Sequence, residues 1–211
     1  TPLTLRSPLS VGMFAGKWAS YAAVPDLPYD QREEDGGALV WEGAPLEEVT
    51  EVFGLPRLDV SLSADQPVAQ IAVRLSDVAP TGEATRITYG VLNLTHRSSS
   101  SSPEPLVPGQ RYDVQVQLNG VAHSFPAGHR LRLSISTSYW PLVWPAPRSA
   151  ELTIHPADSV LRVPIRPRQD DDGRASPYHE PVMAPELETT VLEPSEHDWR
   201  VTRDLATDVS T

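Results

Sequence analysis

The chain has 211 residues, no cysteine, six histidines and a formal net charge of -11 at pH 7, with a pI near 4.9. Without cysteine there are no disulfides, no thiolate catalysis and no Cys-based zinc site. The acidic balance and the lack of a basic stripe argue against nucleic acid and anionic membranes as partners, and no apolar run reaches the ~18 residues of a membrane-spanning helix.

A chain of this length buries about 70% of its unfolded surface and can hold its own core. It opens on Thr1-Pro-Leu-Thr-Leu-Arg-Ser-Pro8, which is not a signal peptide. It does not begin with Met, which suggests a piece of a longer polypeptide, and the expected compartment is cytoplasmic. Residues 1–29 read as a loop-like connecting segment, punctuated by Pro2, Pro8, Pro25 and Pro28. Asp30 to Gly37 reads as a charged turn.

Strands follow in series. Ala38 to Glu42 is short, and Glu48 to Phe53 is closed by Gly54. Leu58, Val60 and Leu62 alternate with polar residues, as do Ile71, Val73 and Leu75. Thr85 to Thr95 is longer and partly apolar on both faces. Tyr112, Val114, Val116 and Leu118 alternate with Asp113, Gln115 and Gln117. The cleanest pattern is Arg130 to Ser136, where Leu131, Leu133 and Ile135 fall on one face and Arg130, Arg132 and Ser134 on the other. Leu152 with Ile154, and Val160 to Val163, complete the series.

About nine short alternating strands joined by Gly/Pro turns, with no helical period between them, define an all-β sandwich or barrel, and a jelly roll suits the count. Val40, Leu58, Val60, Ile71, Val73, Tyr112, Val114, Val116, Leu131, Leu133 and Ile135 are the expected core. Arg130 and Arg132, on the opposite face, are expected to pair with carboxylates of a neighbouring strand or of another domain. Ser98 to Ser102 reads as a connector. Beyond Pro167 the pattern fails, and 168–211 reads as an extended, partly disordered tail. Within it, Arg200 to Leu205 resembles the opening of a strand whose partners lie beyond Thr211.

Three kinds of chemistry compete. A serine hydrolase with a nucleophile elbow needs G-x-S-x-G, which is absent, so no catalytic residue is assigned. For a metal, His123 and His129 flank a turn and could approach each other across it. Asp170-Asp-Asp-Gly173 is oxygen-rich but lacks the alternating spacing of a calcium loop. No metal and no cofactor is expected. For a carbohydrate, Trp18, Trp41, Tyr139, Trp140, Trp144 and Trp199 could stack on sugar rings. The dense group Tyr139, Trp140 and Trp144 equally suits docking to a neighbouring domain.

Five segments in order carry a resemblance: Asp30-Gln-Arg32, Leu75-Ser-Asp-Val-Ala-Pro80, Gly90-Val-Leu-Asn-Leu-Thr-His-Arg97, Leu106-Val-Pro-Gly109 and Phe125-Pro-Ala-Gly-His-Arg-Leu-Arg-Leu-Ser-Ile-Ser136. Together, over residues 30–167, they resemble the C-terminal region of cocaine-esterase-like (CocE/NonD) hydrolases, also known as the X-Pro dipeptidyl-peptidase C-terminal domain. The resemblance implies a jelly-roll β-sandwich of the galactose-binding-like kind. It also implies an upstream α/β-hydrolase domain on the same polypeptide, carrying a Ser-Asp-His triad that acts by acyl transfer on esters, amides or X-Pro peptides. The triad positions all precede residue 1, so the parent polypeptide would be the enzyme and this chain its non-catalytic domain. The segment before Asp30 would lie near the hydrolase cleft, which makes Leu9, Val11, Met13 and Phe14 candidates for its wall, with anchoring to the chain's own sandwich as the competing role. A free-standing carbohydrate-binding module is the alternative. The oligomeric state does not follow from the sequence.

Overall fold

The fold is described from a computed structural model, over residues 1–17, 27–167, 169, 179–185, 187–188, 190–194, 202–204, 206–207 and 209–210. The chain divides into two compact units, Thr1–Pro167 and Arg168–Thr211. The first contains β1 (Leu3–Leu5), α1 (Arg32–Asp35), β2 (Leu39–Glu42), β3 (Thr50–Gly54), β4 (Arg57–Ala64), β5 (Gln70–Val78), β6 (Ala84–Asn93), β7 (Arg111–Gln117), β8 (Val121–Phe125), β9 (Arg130–Ser136), β10 (Leu152–Ile154) and β11 (Val160–Arg162). No helix among the described residues is long and apolar enough to cross a membrane.

All pairings in this unit are antiparallel. One sheet runs β2-β9-β5-β6. In the other, β4 is central. It pairs with β7 along one side, and with β11 (at Arg57–Asp59) and β10 (at Leu62–Ala64) along the other, while β1 adds outside β10. A ribbon of β3 and β8 forms a ladder with neither sheet. Apart from β5–β6 and β10–β11, successive strands lie in different sheets, and the two sheets bury their alternating faces against each other as in a jelly-roll-type sandwich. Leu58, Val60, Leu62, Ile71, Val73, Leu75, Val114, Val116 and Ile135 fill the space between the sheets, with Tyr112, Leu131 and Leu133 at its margin.

Val40, expected in the core, is 40% exposed. In β2, Leu39 lies opposite Ile135 and Trp41 opposite Leu133, so these two share the core face, and Val40 beside Ser134 points the other way. The strand β8 lies in a stretch, 121–125, for which the sequence suggested no strand. Its burial alternates, but the sequence signal is faint, because the inward set includes polar His123 and the outward set apolar Ala122, and only Phe125 is fully buried. The leading segment also does more than connect: β1 pairs in register with β10, Leu3 opposite Ile154 and Leu5 opposite Leu152.

In the second unit, β12 (Arg203–Asp204) pairs antiparallel with β13 (Val209–Ser210). The expected strand opening therefore has a partner within the chain, at Val209–Ser210. Asp204 shapes the reversal, its Oδ1 accepting from the amides of Ala206 at 2.8 Å and Thr207 at 3.2 Å.

Candidate functional site

The charged turn at Asp30–Gly37 closes into a single helical turn that points Gln31 and Glu34 inward and leaves Arg32 and Glu33 exposed. Gln31 is fully buried and Glu34 is 2% exposed. A carboxylate removed from water must find donors, and Glu34 finds them in the leading segment. Its Oε2 accepts from the Gly12 amide at 2.5 Å and its Oε1 from the Phe14 amide at 2.6 Å. Gln31 Nε2 donates to the carbonyls of Phe14 at 3.2 Å and Tyr29 at 2.7 Å. The Tyr29 amide also donates to the Phe14 carbonyl, at 3.0 Å. Residues 8–15 thus form a loop of successive tight turns, with Val11, Met13 and Ala15 amides bonded to the carbonyls of Pro8, Ser10 and Gly12. The loop is clipped to α1 by side chains.

The clamp reaches the sheet through Arg74 of β5, whose side chain has no exposure. Its Nη1 donates to Gln31 Oε1 at 3.0 Å and its Nη2 to Asp35 Oδ1 at 3.2 Å. Asp35 also accepts from Ser134 Oγ at 2.7 Å and Arg132 Nη1 at 2.8 Å. Arg132 and Arg130 pair with the two oxygens of Glu42, at 2.6 and 2.7 Å. The carboxylates expected for these two arginines are thus Asp35 and Glu42, on α1 and β2. Burial pushes the Glu34 carboxyl above its ordinary value, against the Arg74 charge and the two amides that favour its ionised form.

Under the loop, Gly12 (φ 119) lies against the Tyr139–Trp140 backbone so closely that a Cβ would stand 2.1 Å from the Trp140 carbonyl oxygen. Ser7 and Thr137 exchange reciprocal bonds at 2.9 and 3.0 Å. Val11 is buried with Ala15, Ala72 and Tyr139. Tyr139 is wholly buried, and its hydroxyl accepts from Arg86 Nη1 at 2.5 Å. Burial raises the Tyr139 pKa, opposed by Arg86 and Arg74.

The structure therefore brings the two sets of sequence-predicted residues together and divides them by depth. Val11 and Tyr139 are the floor. Above it, Leu9 is 62% exposed and Trp144 77% exposed, with Trp140 also exposed and Met13 and Phe14 half-buried. Trp140 and Trp144 meet edge to face at 4.8 Å, as do Phe14 and Tyr29 at 6.0 Å. Trp18, Trp199 and Asp170–Gly173 lie outside the described residues; Trp41 belongs to the core margin of β2.

Sequence reasoning missed Gln31, Glu34 and Arg74 as a unit. A charged residue amid the apolar run of β5 was the available signal, since such a group must be paired. His123 and His129 do converge, each on Asp77. His123 Nε2 lies 2.8 Å from Oδ2 and His129 Nδ1 2.7 Å from Oδ1. This joins β5, β8 and the turn before β9. Among the described residues no three His, Asp or Glu side chains form a cluster that could hold a metal ion.

Residues 1–202 match the family model of the X-Pro dipeptidyl-peptidase C-terminal non-catalytic domain. The chain belongs to this family. The X-Pro dipeptidyl-peptidase C-terminal match takes in the loop at 8–15 as well as the sandwich. Among curated proteins, the cocaine esterase of Rhodococcus sp. is 25% identical over 116 residues, which is 54% of this chain and 20% of that protein. The chain spans about a fifth of the length of the curated relatives it matches first. Among solved structures, an α-amino acid ester hydrolase superposes with a TM-score of 0.66 at 21% identity, over 79% of this chain and 32% of that one. An aminopeptidase from a marine sediment archaeon gives 0.62 at 22% identity, over 79% and 33%. These likenesses support the sandwich fold.

Proposed function

We propose that this domain is the accessory β-sandwich of a serine hydrolase that acts by acyl transfer on esters, amides or X-Pro peptides. It packs through the loop at 8–14 and the Trp140–Trp144 surface on an α/β-hydrolase domain upstream in the same polypeptide. Met13 and Phe14 then wall the substrate cleft. Within this reading the sandwich is of the galactose-binding-like kind.

One observation carries the proposal. Apolar side chains stand exposed on a loop that a buried ionic clamp holds rigid. Flexible exposed loops are common, but an apolar loop ordered by a buried carboxylate and a buried guanidinium is surface prepared for a partner. Specific interfaces concentrate aromatic anchors in this way. The near-perpendicular rings of Trp140 and Trp144, at 79°, offer no flat platform for one sugar ring, which weighs against the carbohydrate-module alternative.

Hydrogen exchange tests the proposal. The amides of residues 8–14 and 140–144 are compared in this chain and in the polypeptide extended upstream. Added protection in the extended form supports docking there. Equal exchange in both overturns it, as does binding of glycans by the chain alone through Trp140 and Trp144.

A further inference from the structure

The two sheets do not close equally at their sides. Where β6 meets β7, the Asn119 amide donates to the Tyr89 carbonyl at 2.9 Å and Thr88 Oγ1 donates to the Asn119 carbonyl at 2.8 Å. On the opposite side, the edge strand β2 of one sheet and β11 of the other leave a seam. A cavity of about 150 Å³ enters the core there.

Its floor is buried hydrocarbon, from Leu58 and Val60 of β4, Ile135 of β9 and Ile154 of β10. Trp41 supplies an indole wall, and Leu133 and Leu161 flank it. The lining hydroxyl is Ser159, and its proton is already committed: Oγ donates to the His155 carbonyl at 2.8 Å and accepts from the Ser61 amide at 3.1 Å. The rest of the lining is mostly hydrocarbon and indole, so water entering from the open side meets few polar partners. Such water leaves the lining short of the dispersion contacts that a hydrocarbon ring would supply. Apolar cavities of about 150 Å³ accept a benzene-sized molecule.

We propose that this cavity is a binding site for an uncharged single-ring aromatic group, held against Trp41 by dispersion and edge contacts. Size favours a single ring, since a volume of about 150 Å³ matches one ring and a larger group would project into solvent. Charge is excluded by the lining, which offers no partner to an ion. None of its lining residues belongs to the loop at 8–14.

Toluene and benzoate are the probes, titrated into the 211-residue chain with 13C-labelled Ile, Leu and Val methyls. Saturable toluene shifts are expected at Leu133, Ile135 and Leu161, with benzoate weaker by at least about tenfold. Leu161→Phe places a ring in the cavity and should abolish the shifts, and Leu133→Phe serves the same end if the first variant fails to fold. Trp144→Ser should leave them unchanged. Absent or non-saturable shifts overturn the proposal. So do equal binding of benzoate, persistence of the shifts in a folded ring-filled variant, or their loss in Trp144→Ser.

Discussion

Glu34 holds Gly12 by its backbone, Oε2 to amide at 2.5 Å, and through it fixes a loop that displays apolar side chains. The bond joins a buried carboxylate on a four-residue helix to a glycine whose own contacts admit no side chain. Removal of either partner should free the loop.

Arg74 is the keystone on the sheet side. Arg74→Leu removes the buried cation that donates to Gln31 Oε1, and leaves Asp35 with Ser134 and Arg132 as its donors. Breaking a buried pair in this way costs about 3–5 kcal/mol. Urea unfolding should show a lower midpoint of matching size. A loss below about 1 kcal/mol would mean that the network is relaxed by water.

Gly12→Ala brings a methyl onto the Trp140 carbonyl in a left-handed backbone conformation. The expected cost is about 1–3 kcal/mol, from strain and overpacking together. Gly82, with φ 90 and nothing within 4 Å of its Cβ position, provides the control. There Ala meets only the backbone penalty, about 1 kcal/mol. Thermal melts should rank the two in that order.

Depth separates Val11 from Leu9. Val11→Ala removes two buried methyl groups and should cost about 2 kcal/mol. Leu9→Ser and Trp144→Ser should change stability by less than about 0.5 kcal/mol while reducing self-association of the chain, read by light scattering.

The pH dependence has two opposing parts. The Glu34 carboxyl is raised above 4.5 by burial, so the folded state binds its proton more tightly than the unfolded chain does. Its contribution to stability is full below pH 4.5 and is lost as pH rises through the folded value. Asp59 is the reverse case. A bond from Arg162 lowers it below 3.8, so its contribution is present above the unfolded value and is lost as pH falls through the folded one. Glu34→Gln should therefore flatten the decline above pH 4.5 and leave the acid limb in place. A decline unchanged in Glu34→Gln would assign it to other groups.

Period-two alternation made β4, β5, β7 and β9 legible, because each has one face on a single core. Its resolution ended at β2. Leu39, Val40 and Trp41 are all apolar, and pairing with β9, not composition, decides which of them turns inward. β8 was hidden for a different reason, since its inward face carries His123 and its outward face Ala122, so polar and apolar residues do not sort by face. The resemblance drew attention to Asp30, Gln31 and Arg32, but Glu34 and Arg74 lie 40 residues apart in sequence. Only the fold brings them within reach of one another. The aromatic group at Tyr139–Trp144 was visible as a cluster, yet its division into a buried Tyr139 and an exposed Trp144 depends on the loop at 8–14 packing from the other end of the sandwich unit.

The central claim is that this domain serves a nucleophile located elsewhere on its polypeptide. Labelling with a fluorophosphonate probe tests it most directly, with this chain and the upstream-extended polypeptide treated side by side. The account predicts stoichiometric labelling of the extended form and none of this chain. Stoichiometric labelling of the 211-residue chain itself would contradict it, because the chain would then hold an activated serine of its own.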